Sequence, residues 1–172
     1  MKFDRKQWVS FQAEQVNLGD NSVTSIVSDT KDRIWFGTYH GLSMLQNGAW
    51  TVYRKGSSNL PDNTVYSLAS DSKGNIWAGT SNGLVKIYGS DWTVYNHENS
   101  GLSCDLILSL ATDDNGSVWI GTNKGAFFFD GKKWINYTVK NSALTDNRIQ
   151  TITVDKNKIY LGTSSGISVF EP

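Results

Sequence analysis

The chain has 172 residues, and its 16 Lys and Arg residues balance its 16 Asp and Glu residues. This length suffices for one domain with a sizeable core, while the zero net charge gives no long-range attraction to nucleic acid or to an anionic membrane. The one cysteine, Cys104, excludes an internal disulfide and a cysteine metal cluster. We expect a single domain over residues 1–172, with no nucleic-acid partner, no membrane segment, no cofactor and no metal site.

The first predicted element is a short extended segment with the pattern Trp-x-x-aromatic. Its fixed positions in the first copy are Trp8 and Phe11. Aromatic residues at such spacing favour a β-strand, which we label strand d. The pattern recurs every 42 residues, at Trp50 to Tyr53, Trp92 to Tyr95 and Trp134 to Tyr137.

A polar loop leads from strand d to a second strand, labelled strand a. The four copies of strand a begin at Val23, Val65, Ile107 and Ile149. Each is followed by a turn that opens with an aspartate, whose carboxylate can accept hydrogen bonds from backbone amides two residues further on. These aspartates are Asp29, Asp71, Asp113 and Asp155, again 42 residues apart.

Two further strands complete each repeat. Strand b carries an aromatic residue, at Trp35, Trp77, Trp119 and Tyr160. A Gly-Thr-x-x-Gly turn then leads to strand c, which begins at Leu42, Leu84, Ala126 and Ile167. The fourth copy is one residue shorter between its aspartate and this turn. We interpret residues that recur in all four copies as structural, and the tryptophans as filling the space between neighbouring sheets.

Four strands in each 42-residue period leave no room for a helix of ordinary length. Such a period predicts an all-β protein of the β-propeller class, with four-stranded sheets, called blades, stacked around an axis. The predicted repeats are approximately residues 8–49, 50–91, 92–133 and 134–170.

The chain begins with a strand d and ends after a strand c. We therefore predict that the N-terminal strand completes the last blade, which would also cover an exposed sheet edge. Two arrangements satisfy this prediction: a four-bladed ring within one chain, or an eight-bladed ring in which two chains form a homodimer by exchanging their end strands.

The repeat resembles a known family. Its second copy reads Asn-x-Val-x-Ser-Leu from Asn63, then Asp-x-x-Gly-x-Ile-Trp-x-Gly-Thr-x-x-Gly-Leu from Asp71, and then Trp92-x-x-Tyr95. These motifs resemble the two-component regulator propeller repeat, from Trp8 to Phe170. The resemblance implies a sensor-type propeller from the periplasmic or extracellular part of bacterial hybrid histidine kinases, many of which detect products of polysaccharide breakdown. A weaker similarity to streptogramin lyases implies an enzyme that uses a histidine and magnesium, but no motif outside the blade repeat carries those residues over.

Function is expected where the copies differ at one end of the propeller. The loops from d to a and from b to c open at the same end, around the mouth of the central channel. The candidate ligand-binding residues there combine aromatic rings, amides and cations, which suit a polar ligand such as an oligosaccharide. They are Tyr39, His40, Tyr66, Asn82, Asn123, Lys124 and Arg148.

Two other functions remain open from the sequence. A repeat scaffold would use its ends to assemble with itself or to bind another protein. A lyase-like enzyme would require that His40 or His97 meet carboxylates at the mouth. No pattern of metal ligands or nucleophile motif is present, so we expect a non-enzymatic binding module.

Overall fold

A computed structural model describes residues 9–171 of the chain. All regular secondary structure in this range is β, in fifteen strands that form four antiparallel sheets. The prediction of an all-β protein with propeller-like stacked sheets is confirmed.

The first two sheets have four strands each, which neighbour one another in chain order. The strands of the first sheet are β1 (Val23–Ser28), β2 (Ile34–Thr38), β3 (Gly41–Gln46) and β4 (Ala49–Tyr53). The strands of the second sheet are β5 (Val65–Ser70), β6 (Ile76–Thr80), β7 (Gly83–Tyr88) and β8 (Asp91–Tyr95).

The third sheet also has four strands and the fourth has three. The strands of the third sheet are β9 (Ile107–Thr112), β10 (Val118–Thr122), β11 (Ala126–Phe129) and β12 (Trp134–Tyr137). The strands of the fourth sheet are β13 (Ile149–Asp155), β14 (Lys158–Thr163) and β15 (Gly166–Phe170).

The sheets stack face to face in chain order, and their first strands line the inner side of the stack. Strand β1 contacts β5, β5 contacts β9, and β9 contacts β13. Each gap between sheets holds one hydrophobic cluster, centred on the tryptophan of strand b from the preceding sheet. Trp35, Trp77 and Trp119 are all buried, which confirms that the tryptophans of strand b fill the space between sheets.

The aspartate turn anchors each of the first two of these tryptophans. Asp71 Oδ1 accepts hydrogen bonds from the backbone N–H groups of Lys73, at 3.0 Å, and Asn75, at 2.9 Å. Its Oδ2 accepts the indole N–H of Trp77 at 3.1 Å, and Asp29 binds Trp35 in the same way at 2.9 Å. The turn therefore closes the hairpin and also satisfies the one polar atom of a buried ring.

The first strand of every sheet carries a β-bulge at its second residue. In the second sheet, Val65 pairs with Thr80 and Ser67 with Gly79, so Tyr66 is the extra residue. A bulge re-aims a side chain and strengthens the local twist. The four bulged residues are Thr24, Tyr66, Leu108 and Gln150.

The fourth strand predicted for the last sheet is absent from the described residues. Residues 9–12 are not in a strand, and the ring of Phe11 lies 5.5 Å from the ring of Trp50 in the first sheet. Most of the predicted N-terminal strand, including Trp8, lies outside the described residues, so its place as the fourth strand of a last sheet stays a prediction. Strands β1 and β13 are not packed against each other as the neighbouring inner strands are.

Candidate functional site

The loops that precede strand a and the turns between strands b and c lie at the same end of the sheets. The backbone N–H of Gly41 donates to the carbonyl of Asn63 at 2.8 Å, and that of Gly83 donates to the carbonyl of Asp105 at 2.8 Å. Each bond joins a b–c turn to the loop of the next sheet. We use the term mouth surface for these loops and turns together with the bulged residues at the starts of β1, β5, β9 and β13.

The structure brings two of the candidate residues together as an aromatic pair. The rings of Tyr39 and Tyr66 have centroids 6.4 Å apart and meet at 82°, edge to face. Tyr39 follows β2, whereas Tyr66 is the bulged residue of β5 in the next sheet. The bulge thus turns Tyr66 towards the neighbouring b–c turn, and Tyr39 remains exposed.

His40 is exposed and is held by a carboxylate of the loop before it. Its Nδ1 atom lies 2.7 Å from Asp20 Oδ2, while Asp20 Oδ1 accepts the backbone N–H of Ser22 at 2.6 Å. The bond from the Ser22 amide, together with the contact to His40, lowers the pKa of Asp20 below its usual range. The carboxylate therefore stays ionised and ties two loops of the mouth surface together.

His97 also meets a carboxylate, with Nδ1 2.6 Å from Asp105 Oδ2. Asp105 Oδ1 accepts the backbone N–H of His97 at 2.8 Å. The same backbone bond recurs in the other copies, where an asparagine replaces the aspartate and the donor is Ala13, Lys55 or Val139. The pair is thus one form of a loop closure that other copies make without a histidine.

The remaining candidates are exposed at separate points of the mouth surface: Asn82, Asn123, Lys124 and Arg148. Lys124 Nζ lies 3.5 Å from the carbonyl oxygen of Ser103, and Arg148 donates its backbone N–H to Asp146 at 2.9 Å. The head groups of Asn82, Asn123 and Arg148 make no hydrogen bond within the described residues.

Sequence reasoning missed Gln150, the bulged residue of the last sheet. Its side-chain Nε2 donates to Ser164 Oγ at 3.1 Å, across the b–c turn of the same sheet. Arg148, which the sequence favoured, lies two positions earlier and precedes β13. The sequence could have indicated Gln150 by its position, because it occupies the same position in its repeat as Tyr66 does.

Within residues 9–171, no group of three or more His, Cys, Asp or Glu side chains is placed to hold a metal ion. None of the described structure is a helix long and apolar enough to cross a bilayer.

A cleft of about 530 Å³ lies between the third and fourth sheets, away from the mouth surface. Its apolar wall contains Trp119, Phe128, Tyr137 and Phe170, and its rim contains residues of the aspartate turn, beginning with Asp113. This cleft has no counterpart among the sequence predictions of a ligand site.

The comparisons with known proteins agree with the repeat pattern. The family model for the two-component regulator propeller matches residues 17–40, 59–82 and 101–124. These three segments have the same 42-residue spacing as the strands. No curated protein matches the chain.

Several solved structures share the fold. The chain is 26% identical to the extracellular domain of the proposed hybrid two-component system BT3049 from B. thetaiotaomicron, with a TM-score of 0.81 over 96% of this chain and 24% of that one. It is 28% identical to the extracellular domain of BT4673 from the same organism, with a TM-score of 0.78 over 96% of this chain and 23% of that one. The chain thus spans about a quarter of the length of these sensor domains.

A virginiamycin B lyase from Staphylococcus aureus, solved as a catalytically inactive variant with quinupristin, is more distant. It is 14% identical, with a TM-score of 0.65 over 91% of this chain and 58% of the lyase. At this identity the likeness concerns the fold alone. Together, the stacked sheets and the solved structures show a β-propeller fold, and three segments of the chain match the repeat of the two-component regulator propeller.

Proposed function

We propose that the chain is a non-enzymatic, ligand-binding propeller module of the sensor type, which binds a small polar ligand of the oligosaccharide class at its mouth surface. The observation that carries this proposal is the edge-to-face pair formed by the exposed Tyr39 and the partly buried Tyr66. Aromatic faces beside amide and cationic groups suit the alternating apolar and hydroxyl surfaces of a sugar ring.

The polar candidates at other points of the mouth surface support the same ligand class. The amides of Asn82 and Asn123 can donate and accept hydrogen bonds, while Lys124 and Arg148 add positive charge. A carboxylate-bearing sugar would gain a charge-assisted bond from either cation. These groups lie on turns and strand starts that a rigid stack of sheets holds in place.

The likeness to sensor domains supports a location outside the cytoplasm. The matched domains of BT3049 and BT4673 are described as extracellular. We propose that this chain also works in the periplasm or outside the cell, as part of signal detection.

A lyase-like enzyme is the less favoured function. Both histidines meet carboxylates, as that hypothesis required. However, the His97 pair repeats a loop closure that asparagine performs elsewhere, and Asp146 bonds to Ser165 Oγ at 3.2 Å in the place where Asp20 meets His40. Structural anchoring therefore accounts for both pairs without a catalytic role.

The ligand proposal is tested by titration calorimetry with maltohexaose, xylohexaose and hexagalacturonic acid. At least one of these oligosaccharides should bind, and Tyr39→Ala or Tyr66→Ala should weaken that binding at least tenfold, which corresponds to about 1.4 kcal/mol. Tyr88→Ala is the control, because Tyr88 is about as exposed as Tyr39 but ends β7 at the c–d turn. Absence of binding by all three sugars, or equal losses in all three variants, would contradict the proposal.

A further inference from the structure

One face of the first sheet is uncovered, although its residues match a face that is buried elsewhere in the chain. Ile26 on β1 is 61% exposed, whereas Leu68, its counterpart 42 residues later on β5, is 8% exposed. Val23 and Ile34 are also exposed, while their counterparts Val65 and Ile76 are fully buried. In the second sheet these counterparts pack against the sheet before it. The exposed residues of the first sheet thus correspond to those with which each later sheet contacts the sheet before it.

The exposed residues of the last sheet correspond to those with which each earlier sheet contacts the sheet after it. Ile167 on β15 is 70% exposed, whereas its counterpart Leu84 on β7 is fully buried against the third sheet. Tyr160 occupies the place of the buried Trp119 and is exposed as well. The two uncovered faces therefore have the residue patterns that meet in each of the three internal contacts.

Phe11 lies where a preceding sheet would place the last aromatic residue of its strand d. The rings of Phe11 and Trp50 are 5.5 Å apart. The equivalent ring pairs, 42 and 84 residues later, are Tyr53 with Trp92 at 5.1 Å and Tyr95 with Trp134 at 5.6 Å. In those pairs the first ring belongs to the outer strand of the preceding sheet. Phe11 therefore occupies an outer-strand position of a sheet that would precede the first.

The cleft beside the last sheet lies at the position where, one sheet earlier, the outer-strand tryptophan Trp134 packs. Between the second and third sheets, Tyr95 and Phe129 lie 5.3 Å apart, and Trp134 stacks on Phe129 at 4.1 Å. Their counterparts Tyr137 and Phe170 are also 5.3 Å apart, and both line the 530 Å³ cleft. The residue in phase with Trp134 for this sheet is Trp8.

We propose that two copies of this chain associate head to tail and close an eight-sheet ring. In each of the two contacts, the uncovered face of the last sheet of one copy stacks on the uncovered first sheet of the other. The N-terminal segment of the second copy pairs with β15, and its Trp8 enters the cleft beside Phe170. This contact repeats the three internal contacts in order and in register.

A second copy fits better than closure within one chain because the ends of the arc do not meet. Within residues 9–171, β13 and β1 lack the packing that joins β1 to β5, β5 to β9, and β9 to β13. Phe11 also packs on the first sheet of its own chain. It can therefore reach a strand β15 only where the last sheet of another copy stacks on that first sheet. A head-to-tail contact that closes after two copies forms a ring with twofold symmetry. The ring would surround one channel with two sets of mouth residues, and this inference does not depend on the ligand.

Sedimentation velocity of charged variants tests the proposal. The unmodified chain should sediment as a dimer, whereas Ile26→Asp and Ile167→Asp should each shift it to the monomer, because an uncompensated charge in an apolar contact is costly. Val139→Asp is the control, since Val139 is an exposed apolar residue in the loop between the third and fourth sheets. Trp8→Ala should raise the dimer dissociation constant at least tenfold. Circular dichroism should show unchanged β structure in every variant.

Mixing the two end-face variants distinguishes a head-to-tail contact from other dimers. A mixed dimer of Ile26→Asp with Ile167→Asp contains one doubly altered contact and one unaltered contact. Mixing should therefore restore part of the dimer that neither variant forms alone. A monomeric unmodified chain, a dimer that both variants retain, continued growth beyond the dimer, or no recovery on mixing would overturn the proposal.

Discussion

Replacing Asp71 with alanine should destabilise the protein far more than the same change at Asp113. Asp71 is 4% exposed and accepts four hydrogen bonds: from two backbone amides, from the Asn75 side chain at 2.7 Å, and from the Trp77 indole at 3.1 Å. Asp113 is less buried and accepts the backbone N–H groups of Asn115 and Ser117. The two positions therefore carry the same turn with different numbers of buried partners.

The expected magnitude follows from the donors left without a partner. Asn75 and Trp77 are both buried, and each unsatisfied buried donor costs about 1–3 kcal/mol. With the loss of the turn amide bonds, Asp71→Ala should lower the free energy of unfolding by about 3–5 kcal/mol. Asp113→Ala should cost about 1 kcal/mol, because its amide donors lie in a turn that water can reach.

Urea unfolding at pH 7 and one fixed protein concentration measures both changes, with tryptophan fluorescence and far-UV circular dichroism as probes. For a chain of this size, the Asp71 variant should also melt roughly 6–20 °C lower. Asp71→Asn preserves the shape of the side chain and should fall between the wild type and the alanine variant. Equal losses for Asp71→Ala and Asp113→Ala would refute the assignment of the extra stability to the indole and amide bonds.

Two further predictions concern the backbone and pH. Gly79→Ala should lower the free energy of unfolding in urea by about 1–3 kcal/mol, because the added Cβ would lie 2.5 Å from Ile107 Cγ2. Gly37→Ala should lower it less, because the nearest atom there is 3.0 Å away. A larger loss for Gly37→Ala than for Gly79→Ala would contradict this explanation. Burial raises the pKa of Asp29, but hydrogen bonds from the Trp35 indole and from the turn outweigh it, so the net pKa is lowered. A lowered pKa in the folded state contributes stability above the unfolded value of about 3.9. The stability difference between the wild type and Asp29→Asn should therefore be largest near neutral pH and shrink as the pH falls through the lowered pKa; a difference that is constant from pH 7 to pH 2 would refute it.

The repeat made most of the fold predictable. Strand positions followed from aromatic and β-branched runs such as that around Trp77, and the aspartate turns followed from a side chain that binds its own backbone. Both depend on local interactions that a 42-residue period repeats four times. The position of the N-terminal segment could not be predicted, because Phe11 can satisfy the same aromatic contact on any neighbouring sheet.

The candidate site was less predictable for a related reason. The sequence identified Tyr39 and Tyr66 as loop differences at one end, and the structure pairs their rings. It did not identify Gln150, because a bulge is a property of strand pairing rather than of residue type. It also could not distinguish a free histidine from one held by Asp20, since that partner is 20 residues away in the chain.

The solution mass of the unmodified chain, measured by light scattering over a wide concentration range beside a chain lacking residues 1–11, tests the account most directly. Four stacked sheets with two uncovered, matching faces predict twice the mass of one chain for the intact protein, and loss of that dimer on truncation. A monomer at every concentration, with its β structure intact, would contradict the view that these sheets form half of a closed ring.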